Sequence, residues 1–246
     1  MKIENSIALV TGANRGLGRA YTEALLKAGA ARVYAGARDP GSIKVSDRRL
    51  VPVALDVTNE DQVRAAANNC RDVTLLINNA GIMKGSPMLA EGSEADFRGE
   101  LGVNVFGVLR MVRAFAPVLA GNGGGAIANM LSVVSWYVYP FNATYCASKH
   151  AALALTDAAR LQLKGQGTQV VGVYAGFIDT DMAAGFDRPK ASPQQVAERT
   201  LEGIRAGTDH VHADTRSEEL WRALKTDSGQ IAEEMQQLWD AAQVKK

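Results

Sequence analysis

Residues 11–18 have the sequence Thr-Gly-Ala-Asn-Arg-Gly-Leu-Gly and lie between a β-branched run at 7–10 and a segment of helical periodicity at 17–27. Glycines in such a turn let the backbone approach a pyrophosphate closely, and the free N–H groups at the helix start favour an anion. The spacing is G-x3-G-x-G rather than the general dinucleotide fingerprint G-x-G-x-x-G. In the alternative, the glycines serve only to form a turn. However, the position of the loop between a strand and a helix indicates that it binds phosphate.

The rest of the chain continues this alternation of short apolar runs and longer Ala-rich segments of helical period. The apolar runs are nearly continuous, which is typical of strands buried on both faces. The pattern predicts an α/β fold, a Rossmann-type doubly wound parallel β-sheet flanked by helices on both faces. We expect a single domain over residues 1–246 with a C-terminal helical tail at about 216–246. The predicted strands are 7–10, 32–35, 50–55, 73–77, 125–131 and 169–174, and the predicted helices are 17–27, 60–69, 93–120 (two helices), 145–164 and 193–205.

Composition restricts the classes of function. The 246 residues include 27 Lys and Arg against 26 Asp and Glu, so no excess positive field exists to attract nucleic acid or an anionic membrane. Two cysteines, Cys70 and Cys146, are too few for a disulfide scaffold and suit a reducing compartment. Residues 1–6 lack an apolar signal region, and Gly, Asn, Ser and Pro interrupt the charge-free stretch 114–148. We therefore expect a cytoplasmic protein without a membrane span.

The choice of dinucleotide depends on the end of the second predicted strand. NAD-binding proteins usually have an acid about 20 residues beyond the glycine loop, whereas an Arg there accommodates a 2′-phosphate. Here Ala37 occupies the position of the acid, Arg38 follows it, and Arg15 in the loop is a second guanidinium for the same phosphate. These residues predict NADP(H). In the alternative, Arg38 and Asp39 form an exposed pair and Asp39 serves the ribose. Asp56 either accepts a hydrogen bond from the adenine amine or is an acid at a helix N-terminus.

A phenol and an ammonium group are predicted to be neighbours on the helix at 145–164. Tyr145 and Lys149 are four residues apart, so they share one helix face. A nearby cation stabilises phenolate, which lowers the pKa of the phenol and suits it to exchange a proton with a carbonyl or alcohol oxygen. Ser132, at the end of a predicted strand, is expected at the same edge of the sheet, where ligands bind.

Taken together, these motifs resemble those of the short-chain dehydrogenase/reductase family, in its classical branch, over roughly residues 3–205. The motifs that support the resemblance are Thr11-Gly12-x-x-x-Gly16-x-Gly18, Asp56, Asn78-Asn79-Ala80-Gly81, Asn104, Ser132 and Tyr145-x-x-x-Lys149.

The resemblance implies hydride transfer between a nicotinamide and a carbonyl carbon, without a metal. It implies that Tyr145 is the general acid/base, that Lys149 lowers its pKa and holds the nicotinamide ribose, and that Ser132 polarises the carbonyl. The backbone of Asn104 is implied to hold a water in the proton relay to Lys149. The predicted catalytic residues are Asn104, Ser132, Tyr145 and Lys149. The predicted cofactor-binding residues are Gly12, Asn14, Arg15, Gly16, Leu17, Gly18, Arg38, Asp56, Val57, Asn79, Ala80, Gly81, Tyr145, Lys149, Ile178 and Thr180.

Two departures from the family pattern lie near the predicted substrate site. Ala175-Gly176 stands where the family usually has Pro-Gly, so we expect a looser loop over the nicotinamide. Only eleven residues separate Thr180 from Ser192, so we expect an open mouth to the substrate site. Several apolar side chains are expected in part to line that site and in part to pack elsewhere: Trp136, Tyr137, Tyr139, Phe141, Phe177, Met182 and Phe186.

Other candidate sites have simpler explanations. His210, His212 and Asp214 could begin a metal site, but no further ligand has recognisable spacing, and a surface strand is the favoured interpretation. Cys146 is interpreted as a small helix residue rather than a reactive thiol. His150 follows Lys149 directly and does not fit a Ser/His/Asp triad.

The tail segment 229–242 has the periodicity of an amphipathic helix, with Lys245 and Lys246 beyond its end suited to the helix dipole. We expect it to dock on its own domain or on a partner subunit. Its apolar face comprises Ile231, Met235, Leu238, Trp239 and Ala242.

The leading function predicted from the sequence is an NADPH-dependent ketone reductase, reversible to secondary-alcohol dehydrogenase, acting on a small or medium apolar carbonyl compound. The resemblance also implies a homotetramer or homodimer in which the helix at 145–164 meets another subunit. Two alternatives remain, a reductase of a carrier-bound 3-ketoacyl group and a catalytically silent dinucleotide sensor.

Overall fold

A computed structural model describes residues 1–244 and shows a parallel sheet of seven strands. The strand order is β3-β2-β1-β4-β5-β6-β7, so the chain changes direction across the sheet between β3 and β4, and the predicted doubly wound fold is confirmed. The strands are β1 (Ile7–Thr11), β2 (Arg32–Ala37), β3 (Leu50–Ala54), β4 (Leu75–Asn78), β5 (Gly125–Met130), β6 (Thr168–Tyr174) and β7 (His210–His212).

Eight α-helices lie within the described part of the chain and cover both faces of the sheet. They are α1 (Gly16–Lys27), α2 (Glu60–Asn69), α3 (Ser93–Glu100), α4 (Val108–Gly121), α5 (Ala143–Leu163), α6 (Pro193–Ala206), α7 (Thr215–Thr226) and α8 (Ser228–Gln243). Alternate residues of each strand point to opposite faces. Ala8 and Val10 therefore pack in one core with α1 and α6, while Leu9 between them packs in a second core with α2 and α4.

The helical stretch from α3 to α4 differs from the two separate helices predicted at 93–120. A π-helical segment, Leu101–Gly107, joins α3 to α4 without a break in the helix. By length and composition this stretch could cross a membrane. However, Met111, Phe115 and Leu119 of α4 are fully buried in the core, which accounts for the apolar composition without a membrane.

The C-terminal tail is helical, as predicted, and forms α7 and α8. Asp214 caps the start of α7, and Asp227 accepts hydrogen bonds from Gly229 N (3.0 Å) and Gln230 N (3.2 Å) at the start of α8. The tail docks on its own domain, since Ile231 is 5% exposed and packs with Val133 and Leu220. Lys245 and Lys246, which were predicted to suit the dipole of the last helix, lie outside the described residues.

Candidate active site

Segments that follow strands β1 to β6 line one cleft of about 1580 Å³ at the carboxyl edge of the sheet, where open α/β sheets bind ligands. Every residue predicted to bind the cofactor lines this cleft. Ser132, Tyr145 and Lys149 line it as well, whereas Asn104 is buried beneath its wall. The structure thus brings the predicted residues together, and their chemical roles stay predictions.

The glycine loop has the shape that a pyrophosphate requires. Gly12 and Gly16 have φ angles of +64° and +50°, a region that side chains with a Cβ rarely adopt. A Cβ at Gly18 would collide with the carbonyl group of Gly12, so only glycine lets the helix start lie this close to the turn. Asn79 Nδ2 donates a hydrogen bond of 2.9 Å to the carbonyl of Thr11 and ties the loop to the end of β4. The residues present therefore fit a dinucleotide.

The structure bears on the two interpretations of Arg38 and Asp39, which both line the cleft. Asp39 Oδ1 accepts a hydrogen bond of 2.9 Å from Gly41 N, so this carboxylate caps a local turn. Arg38 lines the cleft, and within residues 1–244 no carboxylate oxygen lies within 4.0 Å of its guanidinium group. The exposed ion pair of the alternative interpretation is therefore absent from the described residues. This arrangement leaves a cation available for the 2′-phosphate of NADP(H).

Asp56 has the local contacts of an acid before a helix, and its contact with an adenine amine stays a prediction. It lines the cleft, and its Oδ1 accepts hydrogen bonds from Thr58 N (2.8 Å) and Thr58 Oγ1 (2.7 Å) just before α2. Burial raises the pKa of Asp56, but the hydrogen bonds from Thr58 and the charge of Arg38 outweigh this effect and hold the pKa below its usual value. Asp56 is therefore an ionised acceptor on the cleft wall, within range of the charge of Arg38.

Arg15 contacts a residue that the sequence did not associate with it. Its Nη1 lies 2.9 Å from Oδ2 of Asp181, in the loop after β6. Both side chains are exposed, so the ion pair is weak and the guanidinium group can exchange this carboxylate for a phosphate. Thr180 approaches the same loop, since a Cβ at Gly16 would lie 3.1 Å from its Cγ2.

Tyr145 and Lys149 share one face of α5, as predicted. Lys149 Nζ donates a hydrogen bond of 2.8 Å to the carbonyl of Met130 and lies 5.6 Å from the centre of the Tyr145 ring. Burial lowers the pKa of Lys149 to about 8. Burial also raises the pKa of Tyr145, together with the charges of Cys146 and Glu100, while a hydrogen bond with Ser132 lowers it.

Burial has the largest effect on Tyr145, so the pKa of the phenol lies above its usual value in this structure, while the role predicted for Lys149 stays a prediction. Desolvation disfavours the charged form of both groups. The phenol is consequently protonated at neutral pH, which is the state that a proton donor needs.

Ser132 follows β5 and begins a short 3₁₀ turn at Val133–Ser135, where Ser132 and Ser135 form a capping box. The Ser132 side chain is 8% exposed, and its Oγ donates a long hydrogen bond of 3.4 Å to the carbonyl of Ala175 after β6. Because these contacts are long, the hydroxyl group can turn toward a substrate oxygen near Tyr145.

Asn104 lies in the π-helical segment and holds the loop after β4 through its side chain. Its Oδ1 accepts a hydrogen bond from Ile82 N (2.9 Å), and its Nδ2 donates to the carbonyl of Ile82 (2.9 Å) and to Ser148 Oγ (3.0 Å). π-helical turns are frequent at functional sites. The side chain thus connects the cleft wall to the helix that presents Tyr145 and Lys149, while the water implied at its backbone stays a prediction.

Two acidic residues of α3 extend this contact, and the sequence analysis missed both. Glu100 is fully buried, and its Oε1 accepts hydrogen bonds from Lys84 N (2.8 Å) and Gly85 N (3.2 Å). Asp96 forms a hydrogen bond with the hydroxyl group of Ser86. The four-residue spacing of 96, 100 and 104 could have indicated one helix face, but nothing in the sequence shows what that face contacts.

Five of the apolar side chains considered for the substrate site line the cleft, but the mouth of the cleft is not as open as expected. Tyr137, Tyr139, Phe177, Met182 and Phe186 line it, whereas Trp136 and Phe141 pack elsewhere. Helices α7 and α8 supply further wall residues on the side of the short loop after β6, because the tail folds back over the domain. These wall residues, none of them predicted, are Thr215, Arg216, Glu219, Glu234, Met235, Gln237, Leu238 and Ala241.

His210 and His212 lie outside the cleft. His212 stacks on Tyr174 (5.9 Å between ring centroids) and packs against Trp221 (5.4 Å), so it belongs to an aromatic cluster rather than to a fully exposed strand surface. Burial lowers the pKa of both histidines. Over residues 1–244, no three His, Cys, Asp or Glu side chains are grouped as a metal site would require.

Cys146 is buried, and burial raises the pKa of its thiol to about 11, which opposes the reactive thiol considered from the sequence. His150 is exposed, and its Nδ1 lies 2.9 Å from the carbonyl oxygen of Cys146, one turn earlier on α5. Neither side chain lines the cleft.

Comparisons with known proteins agree with this geometry. A family profile described as short chain dehydrogenase matches residues 6–191. The crystal structure of a short chain dehydrogenase from Burkholderia cenocepacia in complex with NADP is 40% identical, with a TM-score of 0.92 over 96% of this chain and 99% of that one. A short chain dehydrogenase/reductase from Burkholderia phymatum in complex with NAD is 26% identical, with a TM-score of 0.79 over 92% and 95% of the two chains. A 3-oxoacyl-(acyl-carrier-protein) reductase from Vibrio harveyi is 29% identical over 84% of this chain and 85% of its own length.

Proposed function

This chain belongs to the short chain dehydrogenase family of oxidoreductases, and we propose that it is an NADPH-dependent ketone reductase, reversible to oxidation of the secondary alcohol. The observation that supports the proposal is one cleft in which the glycine loop and Arg38 are continuous with Ser132, Tyr145 and Lys149. The apolar side chains at the other end of that cleft favour small or medium apolar carbonyl compounds.

Proton donation is the step that the side chains of this protein would perform. When bound, NADPH supplies a hydride for the carbonyl carbon. The phenol of Tyr145 is protonated at neutral pH and donates its proton to the carbonyl oxygen as negative charge develops there. The hydroxyl group of Ser132 donates a hydrogen bond to the same oxygen, which stabilises that charge.

Lys149 would hold the cofactor ribose and supply positive charge beside the phenol. Its ammonium group is fixed by the Met130 carbonyl, so it stays near Tyr145 without a carboxylate partner in the described part of the chain. A Cβ at Gly81 would lie 3.9 Å from Nζ, which places the ammonium group directly beneath the loop after β4. This position is suited to a ribose hydroxyl group lying on that loop.

The preference for NADPH over NADH rests on Arg38. It lines the cleft without a carboxylate partner in the described residues, while Asp39 is engaged by Gly41. A guanidinium group binds a phosphate dianion by charge-assisted hydrogen bonds, which NADH does not offer at this position. The NADP complex of the Burkholderia cenocepacia relative also supports this preference.

The experiment that tests the proposal follows the loss of NADPH absorbance with a panel of apolar ketones. Wild-type protein should turn over at least some of them. Tyr145→Phe should lower kcat by about 10³-fold or more while NADPH binding stays nearly unchanged, because the phenol oxygen is the proton donor. Tyr34→Phe is the matched control, since that hydroxyl group bonds Asp72 (3.0 Å) away from the cleft. Full activity of Tyr145→Phe would refute the mechanism.

A reductase of a carrier-bound 3-ketoacyl group is the second candidate, and the Vibrio harveyi relative favours it. Docking of an acidic carrier requires a basic surface at the mouth of the cleft. The tail helices there present Glu219 and Glu234 beside Arg216, a mixed set of charges that gives little support to this candidate. Parallel assays with free and carrier-linked 3-ketoacyl substrates separate the two functions.

A silent dinucleotide sensor remains the third candidate. The presence of Ser132, Tyr145 and Lys149 in one cleft argues against it. Tight NADPH binding without turnover across the whole ketone panel would support the sensor and contradict the reductase.

We also propose that the protein is a homotetramer or homodimer. Leu161 is an exposed apolar side chain on α5, the helix implied to meet another subunit, and Phe106 in the π-helical segment is exposed as well. Light scattering after size-exclusion chromatography tests this proposal, and a monomer at micromolar concentration would contradict it.

A further inference from the structure

Helix α8 forms a wall of the cleft although it lies outside residues 6–191, which the family profile matches. Three of its lining residues, Glu234, Leu238 and Ala241, are spaced four and three residues apart, so they occupy one face of the helix. Met235 and Gln237 flank this row. One side of α8 therefore faces the same space as Tyr145.

Two contacts fix α8 close to the reacting groups. Ile231 packs with Val133, which directly follows Ser132 in the chain. The ring of Trp239 lies 5.4 Å from the ring of Phe141, four residues before Tyr145. Because the helix is anchored at both of these segments, its cleft-facing side is at the substrate end and not at the end that contains Arg38.

The wall presents apolar surface that the protein itself leaves uncovered. Leu238 of α8 is 37% exposed and Met182 of the loop after β6 is 45% exposed, and both line the cleft. An apolar group of a ligand gains binding free energy when it covers apolar surface in a cleft. Glu234 and Gln237 on the same helix provide a polar rim.

We propose that α8 is the specificity-determining wall of the substrate site, and that the substrate is a carbonyl compound whose extended apolar substituent covers Leu238 and Met182. The proposal rests on the ketone reductase function proposed above and defines its substrate class. The reacting carbonyl group lies at Ser132 and Tyr145, and the substituent extends from there along α8.

The test compares Leu238→Ala with wild type on short and long unbranched methyl ketones. We expect KM for the long ketone to rise about 5- to 20-fold, because the variant removes apolar contact area. KM for the short ketone and for NADPH should change less than about twofold, since neither reaches this wall. Gln236→Ala is the matched control, because Gln236 bonds Asp240 (2.8 Å) on α8 and is outside the cleft lining. Leu238→Trp should reject the long ketone and keep the short one.

A binding measurement separates this proposal from the proposed reaction. Calorimetric titration of the protein with the long ketone should show the same loss of affinity in Leu238→Ala, whether or not turnover occurs. If wild type binds the long ketone through Leu238 but reduces no ketone, the reductase proposal fails and the assignment of α8 stands. Equal effects on short and long ketones, or no effect on either, would overturn the assignment.

Discussion

Nζ of Lys149 lies 5.6 Å from the centre of the Tyr145 ring, and burial moves the pKa values of these two groups in opposite directions. The phenol is harder to ionise than in water and the ammonium group is easier to neutralise, because both would be charged in a poorly solvated place. At neutral pH the pair is a protonated phenol beside an ammonium group. This is the combination that carbonyl reduction requires.

Reduction should therefore lose rate in alkaline solution through Lys149. Its pKa is about 8, so it is an ammonium group below that pH and neutral above it, while Tyr145 keeps its proton throughout. We expect kcat/KM for reduction to fall as pH rises through about 8, by up to about tenfold per unit. A pH profile at saturating NADPH measures this. A profile that stays flat well above pH 8 would contradict it, and Lys149→Arg, which keeps its charge, should lose the break.

Arg38→Gln should reduce the preference for NADPH. Charge-assisted hydrogen bonds to a phosphate contribute about 1.5–3 kcal/mol, so KM for NADPH should rise about 10- to 100-fold. KM for NADH should change little, because that cofactor has no 2′-phosphate. Asp39→Asn is the control, since Asp39 caps the turn at Gly41. A selective loss of NADH affinity in the Asp39 variant would favour the alternative in which Asp39 binds the ribose.

Two substitutions at the contact between Arg15 and Asp181 test whether Arg15 takes part in NADPH binding. Asp181→Asn releases the guanidinium group from an exposed ion pair, so KM for NADPH should stay unchanged or fall by no more than about fivefold. Arg15→Gln should raise KM for NADPH more than KM for NADH if Arg15 contacts the phosphate. Equal effects of Arg15→Gln on both cofactors would show that Arg15 only joins the two loops.

Glu100→Ala should destabilise the loop after β4, which forms part of the cleft wall. The change leaves the backbone N–H groups of Lys84 and Gly85 without their acceptor, at a cost of about 1–3 kcal/mol in the free energy of unfolding. We expect a lower melting temperature and a lower kcat/KM. Glu100→Gln keeps an acceptor oxygen and should restore most of both. Glu100→Gln also removes a charge that raises the pKa of Tyr145. Since alcohol oxidation needs the phenolate, the pH at which its rate rises should move to a lower value.

The control for Glu100 is Glu94 on the same helix. Its carboxylate is exposed and pairs with Arg98 (2.6 Å), so Glu94→Gln should leave melting temperature and kinetics nearly unchanged. If Glu100→Ala also left both unchanged, the loop after β4 would not depend on the buried carboxylate.

Features that depend on a local pattern of residues could be predicted from the sequence alone. Strands could be predicted from the apolar runs, because a strand buried on both faces needs apolar residues along its whole length. The phosphate-binding loop could be predicted from the position of its glycines between β1 and α1. The four-residue spacing of Tyr145 and Lys149 placed them on one helix face for the same local reason. For residues far apart in sequence, only their common location could be predicted, from the rule that ligands bind at the carboxyl edge of a parallel sheet.

The contacts between distant segments and the desolvation of the cleft, in contrast, could be known only from the folded structure. Glu100 under the loop after β4, Arg15 against Asp181, and α8 as a cleft wall are contacts between segments whose packing no local periodicity specifies. The pKa of Tyr145 likewise could not be predicted from the sequence, because desolvation depends on all surrounding atoms and here raises that pKa.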